Sequence, residues 1–249
     1  MESPRLELAF APDLRLFLAP RDRAGSIRVT CDGTSSLGHV VESAGVPLPE
    51  VGILRVNDQP VDSSYQPRPG DRIRVEPMHR PQQLPTPRFL LDVHLGALAR
   101  RMRLVGLDCR YSNDMDDDEL IELANSARAV LLTKDRGLLR RRKLWLGAYV
   151  RGARADDQLA DVLDRFAPPL APWTRCVACN ERLASAPKRD VEQYLLPGTR
   201  RTYDEFARCP GCGRVYWRGA HNRRLAAIVA RATAQTRSAA PPCREPPIP

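Results

Sequence analysis

The sequence lacks any apolar run that approaches the roughly 18 residues of a membrane-spanning helix. Its first residues, MESPRLELAF, also lack the basic and then apolar order of a signal peptide. Acidic residues are fewer than basic ones, 30 against 39, so the formal charge is +9 and the pI is near 9.6. This balance favours polyanionic partners such as nucleic acid or an anionic membrane surface. We expect a cytoplasmic, nucleic-acid-binding protein without membrane association.

The cysteines do not have the even count of a disulfide framework. There are seven, of which four form two CxxC pairs, and this usage fits metal binding in a reducing compartment. Cys176 and Cys179 form CVAC, and Cys209 and Cys212 form CPGC. Two such pairs present four thiolates in the tetrahedral array of a structural zinc ribbon, which leaves no position for a substrate. We therefore predict structural Zn²⁺ at these four residues, with its binding energy contributing to folding.

Proline-rich stretches indicate where the domains meet. PMHRPQQLPTPR, residues 77–88, has four prolines in twelve residues and predicts an extended linker. APPLAPW, residues 167–173, separates a helical segment from the first CxxC pair. The end of the chain has too little apolar content to fold alone. The predicted divisions are a first domain at 1–79, a linker at 80–87, a second domain at 88–170, a zinc ribbon at 171–232 and a disordered tail at 233–249.

The first 78 residues predict two strands, a helix and two more strands. LELAFAP and SIRVTCD alternate apolar and polar residues, and SSLGHVVESAGV has helical spacing after a serine N-cap. With GVPLPEVGILRVNDQPVD and PGDRIRVEPM, the segment resembles the ubiquitin-like ThiS/MoaD sulfur-carrier family, which implies a β-grasp fold. Sulfur carriers end in a free Gly-Gly tail, whereas this chain continues. We therefore expect a domain that positions, regulates or binds a protein partner, rather than one that takes part in conjugation.

Residues 88 to about 170 alternate strands and helices, which is typical of a parallel sheet covered by helices. RFLLD and AVLLTKD each contain a predicted strand, and the two segments end on Asp92 and Asp135. In sheets of this kind the active crevice lies at the carboxyl ends of the strands. Carboxylates that converge there could hold Mg²⁺ or Mn²⁺. The alternative is that they only cap helices. The acids of NDMDDDELIELA also suit helix capping, although one of them could face the crevice.

PRFLLDVHLGALARRMRLVGLDCRY, DDDELIELA, LLTKDRGLLRRR and the cysteine block resemble the Mut7-C ribonuclease family over residues 86 to 230. The resemblance implies a PIN-like three-layer α/β/α fold, followed by a zinc ribbon, and metal-dependent hydrolysis of RNA by clustered acids. Asp116 and Asp118 are alternatives for the middle acid, and Asp156 is an alternative for the last. The acids that it assigns to catalysis are Asp92, Asp117, Asp135 and Asp157, of which the first three would ligate Mg²⁺ or Mn²⁺.

Basic and aromatic residues near these motifs are candidates for RNA contacts. Arginines follow both strand-end acids, and an aromatic pair follows the second CxxC. The set is Arg100, Arg101, Arg103, Arg136, Arg140, Trp217 and His221. The arginines would contact phosphates without reading bases. The alternatives are a solvated basic face, aromatics that pack the ribbon and a structural histidine.

Three function classes remain open from the sequence. A metal-dependent ribonuclease is favoured, acting on RNA, with transfer RNA as a candidate because related nucleases often act on structured RNAs. A non-catalytic RNA-binding protein is the second class. An adaptor that binds proteins through its β-grasp domain is the third.

Overall fold

The computed structural model describes residues 5–217 and 222–239. The chain forms two compact units. The first unit consists of Met1–Arg80 and Thr133–Tyr149, and the second consists of Pro81–Leu132 and Val150–Pro249. Within the described residues, no helix combines the length and the apolar character that a membrane crossing requires.

The strands are β1 (Arg5–Phe10), β2 (Ser26–Thr30), β3 (Val51–Val56), β4 (Gln59–Val61), β5 (Arg72–Pro77), β6 (Arg88–Leu91), β7 (Asp108–Tyr111), β8 (Val130–Thr133), β9 (Gly147–Tyr149), β10 (Ala184–Ala186), β11 (Phe206–Arg208) and β12 (Val215–Trp217). The α-helices are α1 (Leu37–Ser43), α2 (Gly96–Leu104), α3 (Asp117–Ala127), α4 (Arg136–Leu139), α5 (Ala155–Phe166), α6 (Lys188–Val191), α7 (Pro197–Thr202) and α8 (Asn222–Ala239). Short 3-10 helices span Pro12–Phe17, Pro20–Asp22, Leu48–Glu50, Val93–Leu95 and Glu192–Tyr194.

The first unit contains a mixed sheet with the strand order β2-β1-β5-β3-β4. Strand β1 pairs antiparallel with β2 and parallel with β5. Its alternating pattern buries Leu6, Leu8 and Phe10 on one face. Helix α1 begins after Ser36, whose hydroxyl accepts the His39 N–H. The predicted β-grasp arrangement is confirmed, with three strands after the helix instead of the two that the sequence predicted, because the short strand β4 is added.

The second unit is built on parallel strands in the order β7-β6-β8. All four residues of β8 are buried, as are Phe89, Leu90 and Leu91 of β6. A parallel strand is buried on both faces because its crossover helices cover the sheet, and such a strand reads as a continuous apolar run. Helix α2 packs against β7 and α5, and helix α3 packs against β6. The predicted parallel sheet with flanking helices is confirmed.

The cysteine region belongs to the second unit and is anchored to the strands by a buried arginine. Arg103 on α2 is 4% exposed, and its guanidinium donates to the carbonyls of Cys109 (3.0 Å), Val177 (3.3 Å) and Ala178 (2.6 Å). Asn180 adds a second link, because its side chain accepts the Cys109 N–H at 3.1 Å. These bonds join the first CxxC turn to β7. The small antiparallel sheet β10-β11-β12 completes the region.

Helix α8 differs from the tail predicted by the sequence. The helix continues to Ala239, so the prediction of disorder is wrong for residues 233–239, whereas residues 240–249 lie outside the described part. Ile228 and Ala232, one helical turn apart, are buried, and the helix packs against α5. The Gln235 amide donates to the Ala160 carbonyl at 2.7 Å. Tertiary packing thus orders a segment whose composition alone is too polar to fold.

Replacing Arg103 with lysine should destabilise the second unit. An ammonium group lacks the planar fork that reaches three carbonyls, and a buried acceptor left without a donor costs about 1–3 kcal/mol. We expect a loss of about 3 kcal/mol in urea unfolding followed by circular dichroism. Arg100→Lys, an exposed position on the same helix, is the matched control. Equal stability of the two variants would contradict the anchoring role.

Candidate metal centre and active-site residues

Four cysteine thiols meet in the second unit. The Sγ atoms of Cys176, Cys179, Cys209 and Cys212 all lie within 4.8 Å of one another. The Sγ atoms of Cys176 and Cys212 are 3.5 Å apart, and those of Cys179 and Cys209 are 3.3 Å apart. Zinc with sulfur ligands at about 2.3 Å in a tetrahedron requires sulfur separations of about 3.8 Å. The donor type, count and spacing therefore fit Zn²⁺, and this cluster could hold a structural zinc ion.

Both CxxC turns have the same backbone design. The residue after the second cysteine of each pair, Asn180 or Gly213, has a φ of +74°. Its N–H donates to the carbonyl of the first cysteine of that pair at 2.9 Å, which closes the turn in both cases. Asparagine and glycine are the residues that adopt this left-handed conformation most readily. The sequence therefore carries a signal for each turn beyond the cysteine spacing itself.

The environment of Cys176 favours its thiolate. Burial raises the pKa of the thiol, but hydrogen bonds from the Tyr216 hydroxyl, 3.0 Å away, and from backbone N–H groups outweigh it and lower the pKa to about 6. Burial and the Cys176 thiolate raise the pKa of Tyr216. Tyr216, one of the aromatic pair after the second CxxC, thus contacts the cysteine cluster, as in the alternative that these aromatics pack the ribbon.

Asp92 and Asp135 follow the ends of two paired parallel strands. Asp92 comes directly after β6, is 6% exposed, and donates its N–H to the Leu132 carbonyl of β8 at 3.0 Å. Asp135 comes two residues after β8 and caps α4, where one carboxylate oxygen accepts the Gly137 N–H (2.6 Å) and the Leu138 N–H (3.3 Å). The capping role that the sequence left open as an alternative is therefore present at Asp135.

The acids of α3 divide into a capping residue and exposed neighbours. Asp116 is the N-cap, and its carboxylate accepts the Glu119 N–H at 2.9 Å while the Glu119 side chain accepts the Asp116 N–H at 3.0 Å. Asp117 is the first residue of the helix and is exposed. The helix-capping role that the sequence left open for these acids is therefore present at Asp116.

Asp157 and its alternative Asp156 both form ion pairs with arginines. The two oxygens of Asp157 accept from Arg154 at 3.1 and 3.2 Å, and these hydrogen bonds lower the pKa of the carboxyl. Asp156 accepts from Arg101 at 2.7 Å and from Arg231 at 3.4 Å. A guanidinium that takes both oxygens of Asp157 competes with any cation there.

The carboxylates do not form a compact ligand group like that of the cysteines. Among the side chains that the structure describes, the four thiols are the only group of three or more His, Cys, Asp or Glu ligand atoms within 4.8 Å of one another. Mg²⁺ commonly binds one or two carboxylates directly and keeps several waters. A site that draws on Asp92 or Asp135 therefore does not require direct coordination by every acid.

The predicted RNA-contacting residues differ in how exposed their side chains are and in what those side chains bond to. Arg100 and Arg140 are exposed, and Trp217 is 41% exposed. Arg101 is paired with Asp156, and Arg136 donates to backbone carbonyls in the first unit. His221 lies outside the described residues.

Arg103 requires a correction. Its guanidinium is buried and bonded to three carbonyls, so it is not placed to contact a phosphate. The sequence shows the charge of an arginine but not the carbonyls that surround it.

Loss of a cysteine ligand should remove the metal. We expect one zinc ion per chain in the purified protein by atomic emission, and near-zero zinc in Cys209→Ser. Because metal binding stabilises a small ribbon, a chelator should lower the thermal unfolding midpoint of the wild type. Cys31→Ser, in which the hydroxyl can replace the thiol bond to Pro67, is the matched control and should retain zinc. Full zinc content in Cys209→Ser would contradict the proposed ligand set.

Comparison with known protein families assigns both parts of the chain. The model of the Mut7-C RNAse domain matches residues 87–229, which is more than half of the chain, and the model of the Mut7-C ubiquitin domain matches residues 3–83. Neither curated proteins nor solved structures give a match. The resemblances drawn from the sequence are thus confirmed. The chain belongs to the Mut7-C ribonuclease family, with a ubiquitin-like domain ahead of the RNase domain.

Proposed function

We propose that this protein is a metal-dependent ribonuclease with an acidic PIN-like site. The observation that carries the proposal is the position of Asp92 and Asp135, each just beyond the carboxyl end of a strand, in two strands that pair in parallel. Ligand sites of open α/β sheets lie at that edge. The match to an RNase domain across both acids supports hydrolysis of RNA rather than another reaction.

The acidic residues differ in their roles in the proposed site. Asp92 and Asp135, with Asp117 as the third acid, would hold Mg²⁺ or Mn²⁺. A divalent ion at this place would lower the pKa of a bound water and neutralise the leaving oxyanion. The backbone N–H groups of Gly137 and Leu138 fix one oxygen of Asp135, which orients the carboxylate before metal or RNA arrives. We leave Asp157 out of the catalytic set because Arg154 binds both of its oxygens.

Binding of the substrate would rest on exposed cations and on one aromatic side chain. Arg100 and Arg140 are available for phosphates, and Trp217 presents a surface on which an unpaired base can stack. None of these contacts reads a base edge. The substrate class is therefore RNA selected by shape, with structured RNA such as transfer RNA as one member to compare with unstructured RNA.

One observation favours a second candidate, an RNA-binding protein without catalysis. The carboxylates are not gathered into a compact ligand group among the described side chains. A non-catalytic member would keep the basic and aromatic surface and lose the requirement for metal. Cleavage assays separate the two candidates, because binding persists in both.

Neutralising the strand-end acids should abolish cleavage. We expect Asp92→Asn and Asp135→Asn each to lower the Mn²⁺-dependent rate by about 100-fold or more, since a missing ligand costs at least as much as a missing outer-shell partner. Asparagine caps helices as well as aspartate does, so Asp135→Asn removes the charge and leaves the start of α4 intact. End-labelled transfer RNA and unstructured RNA are incubated with Mn²⁺, with Mg²⁺ and with EDTA, and the products are resolved on gels.

Glu122→Gln, an exposed acid on α3, is the control and should cleave like the wild type. Cleavage that resists EDTA and both aspartate substitutions would refute the mechanism. RNA binding without cleavage under every metal condition would support the non-catalytic candidate.

A further inference from the structure

We propose that the ubiquitin-like domain acts within its own chain as a positioning element for the acidic residue Asp135. This inference rests on the proposed function. Residues 133–149 belong to the sequence range that matches the RNase domain, yet they pack in the same compact unit as residues 1–80. Two anchors hold this segment against the ubiquitin-like domain: Arg136 at its start and Tyr149 at its end.

The first anchor is the guanidinium of Arg136. It donates to the carbonyls of Phe17 (2.8 Å) and Leu16 (2.9 Å), and its Cζ atom lies 5.3 Å from the centroid of the Phe17 ring. Both carbonyls belong to the end of the 3-10 helix Pro12–Phe17, where carbonyls have no partner within the helix. A planar fork above an aromatic face is a geometry that arginine can form and lysine cannot.

The second anchor is the backbone of Tyr149. Its N–H donates to Oε1 of Glu50 at 2.8 Å, and Glu50 is only 1% exposed. The Tyr149 ring meets Phe17 edge to face at 5.0 Å. A buried carboxylate is costly unless hydrogen bonds support it, and the Tyr149 N–H is one such donor. Glu50 itself is held in place, because its carbonyl accepts the Met78 N–H at 2.9 Å.

These anchors act on the geometry of Asp135 through α4. Asp135 is the N-cap of this helix and Arg136 is its first residue, so the anchored residue and the acid share one turn. A four-residue helix is far below the about 12–15 residues at which an isolated helix becomes marginally stable. Its position therefore depends on tertiary contacts. Leu138 and Leu139 are buried, and the bonds of Arg136 to two carbonyls fix the orientation of α4 about its axis.

The sequence suggested a different role for Arg136, as a contact to RNA phosphate. The two roles make opposite predictions for lysine at this position. A phosphate contact tolerates lysine, because the charge is kept and phosphate binding needs no planar fork. The two-carbonyl anchor does not tolerate it. Arg136 is thus a positioning residue that acts through Asp135, and Glu50 is a second one.

The decisive variant is Arg136→Lys in the full-length chain. We expect kcat on RNA to fall by about 10-fold or more with KM unchanged, because a displaced catalytic group lowers the rate and not the affinity. Amide hydrogen exchange in residues 136–149 should become at least about 10-fold faster. The control is Arg72→Lys, an exposed arginine of the same unit, for which both readouts should stay at the wild-type value.

Glu50 provides an independent variant pair. Glu50→Ala removes the acceptor of the Tyr149 N–H, whereas Glu50→Gln keeps an oxygen at that position. We expect faster exchange at residues 147–149 and a lower kcat in Glu50→Ala, with partial rescue of both in Glu50→Gln. If Glu50→Ala fails to fold, the comparison of Glu50→Gln with Arg136→Lys still tests the two anchors.

Two outcomes would overturn the proposal. One is unchanged exchange in Arg136→Lys. The other is a loss of activity confined to KM, which would return Arg136 to the role of a phosphate contact. If the wild type cleaves no RNA with any metal, the proposed function fails; the exchange data then decide by themselves whether the ubiquitin-like domain holds the segment.

Discussion

The parallel pairing of β6 with β8 is the constraint on which the candidate active site depends. The register aligns Leu91 with Leu132, and the Asp92 N–H extends the ladder by one bond to the Leu132 carbonyl. A slip by one residue would turn every side chain of a strand to the other face of the sheet, where the close-packed neighbours of Phe89, Leu90 and Leu91 would no longer fit them. The packing of these apolar residues therefore fixes the place of Asp92 at the end of β6.

Local patterns in the sequence predicted much of the fold. The alternation in β1, the serine cap of α1 and the continuous apolar run of β8 each depend on neighbouring residues alone, so they can be read without a structure. The four cysteines were found for the same reason, because a tetrahedral thiolate site imposes its own spacing. The resemblance to the Mut7-C family added the order of these parts.

The partners of charged side chains could not be predicted in this way. Arg103 and Arg136 each lie near other arginines in the sequence, yet one is buried among carbonyls and the other is bonded to a distant turn. The C-terminal part of helix α8 was predicted as disordered for the same reason, since its order comes from packing on α5. Each of these features depends on residues far away in the chain, and a single sequence does not record which of them will meet.

Several arginines bond to groups within the protein, so the net charge overstates the positive charge that is available to RNA. A formal charge of +9 suggests a broad electrostatic attraction to RNA, but charge that is bonded to carbonyls or carboxylates inside the protein is less available to phosphates. Arg101 and Arg103 support α2 and the cysteine turn, and Arg136 supports the segment that carries Asp135. In this chain, arginine is partly a structural residue: its fork satisfies several backbone acceptors at once where the small sheets and short helices leave carbonyls without partners. Arginines that resemble a track for phosphates in the sequence thus hold the first cysteine turn and the segment that carries Asp135 in place.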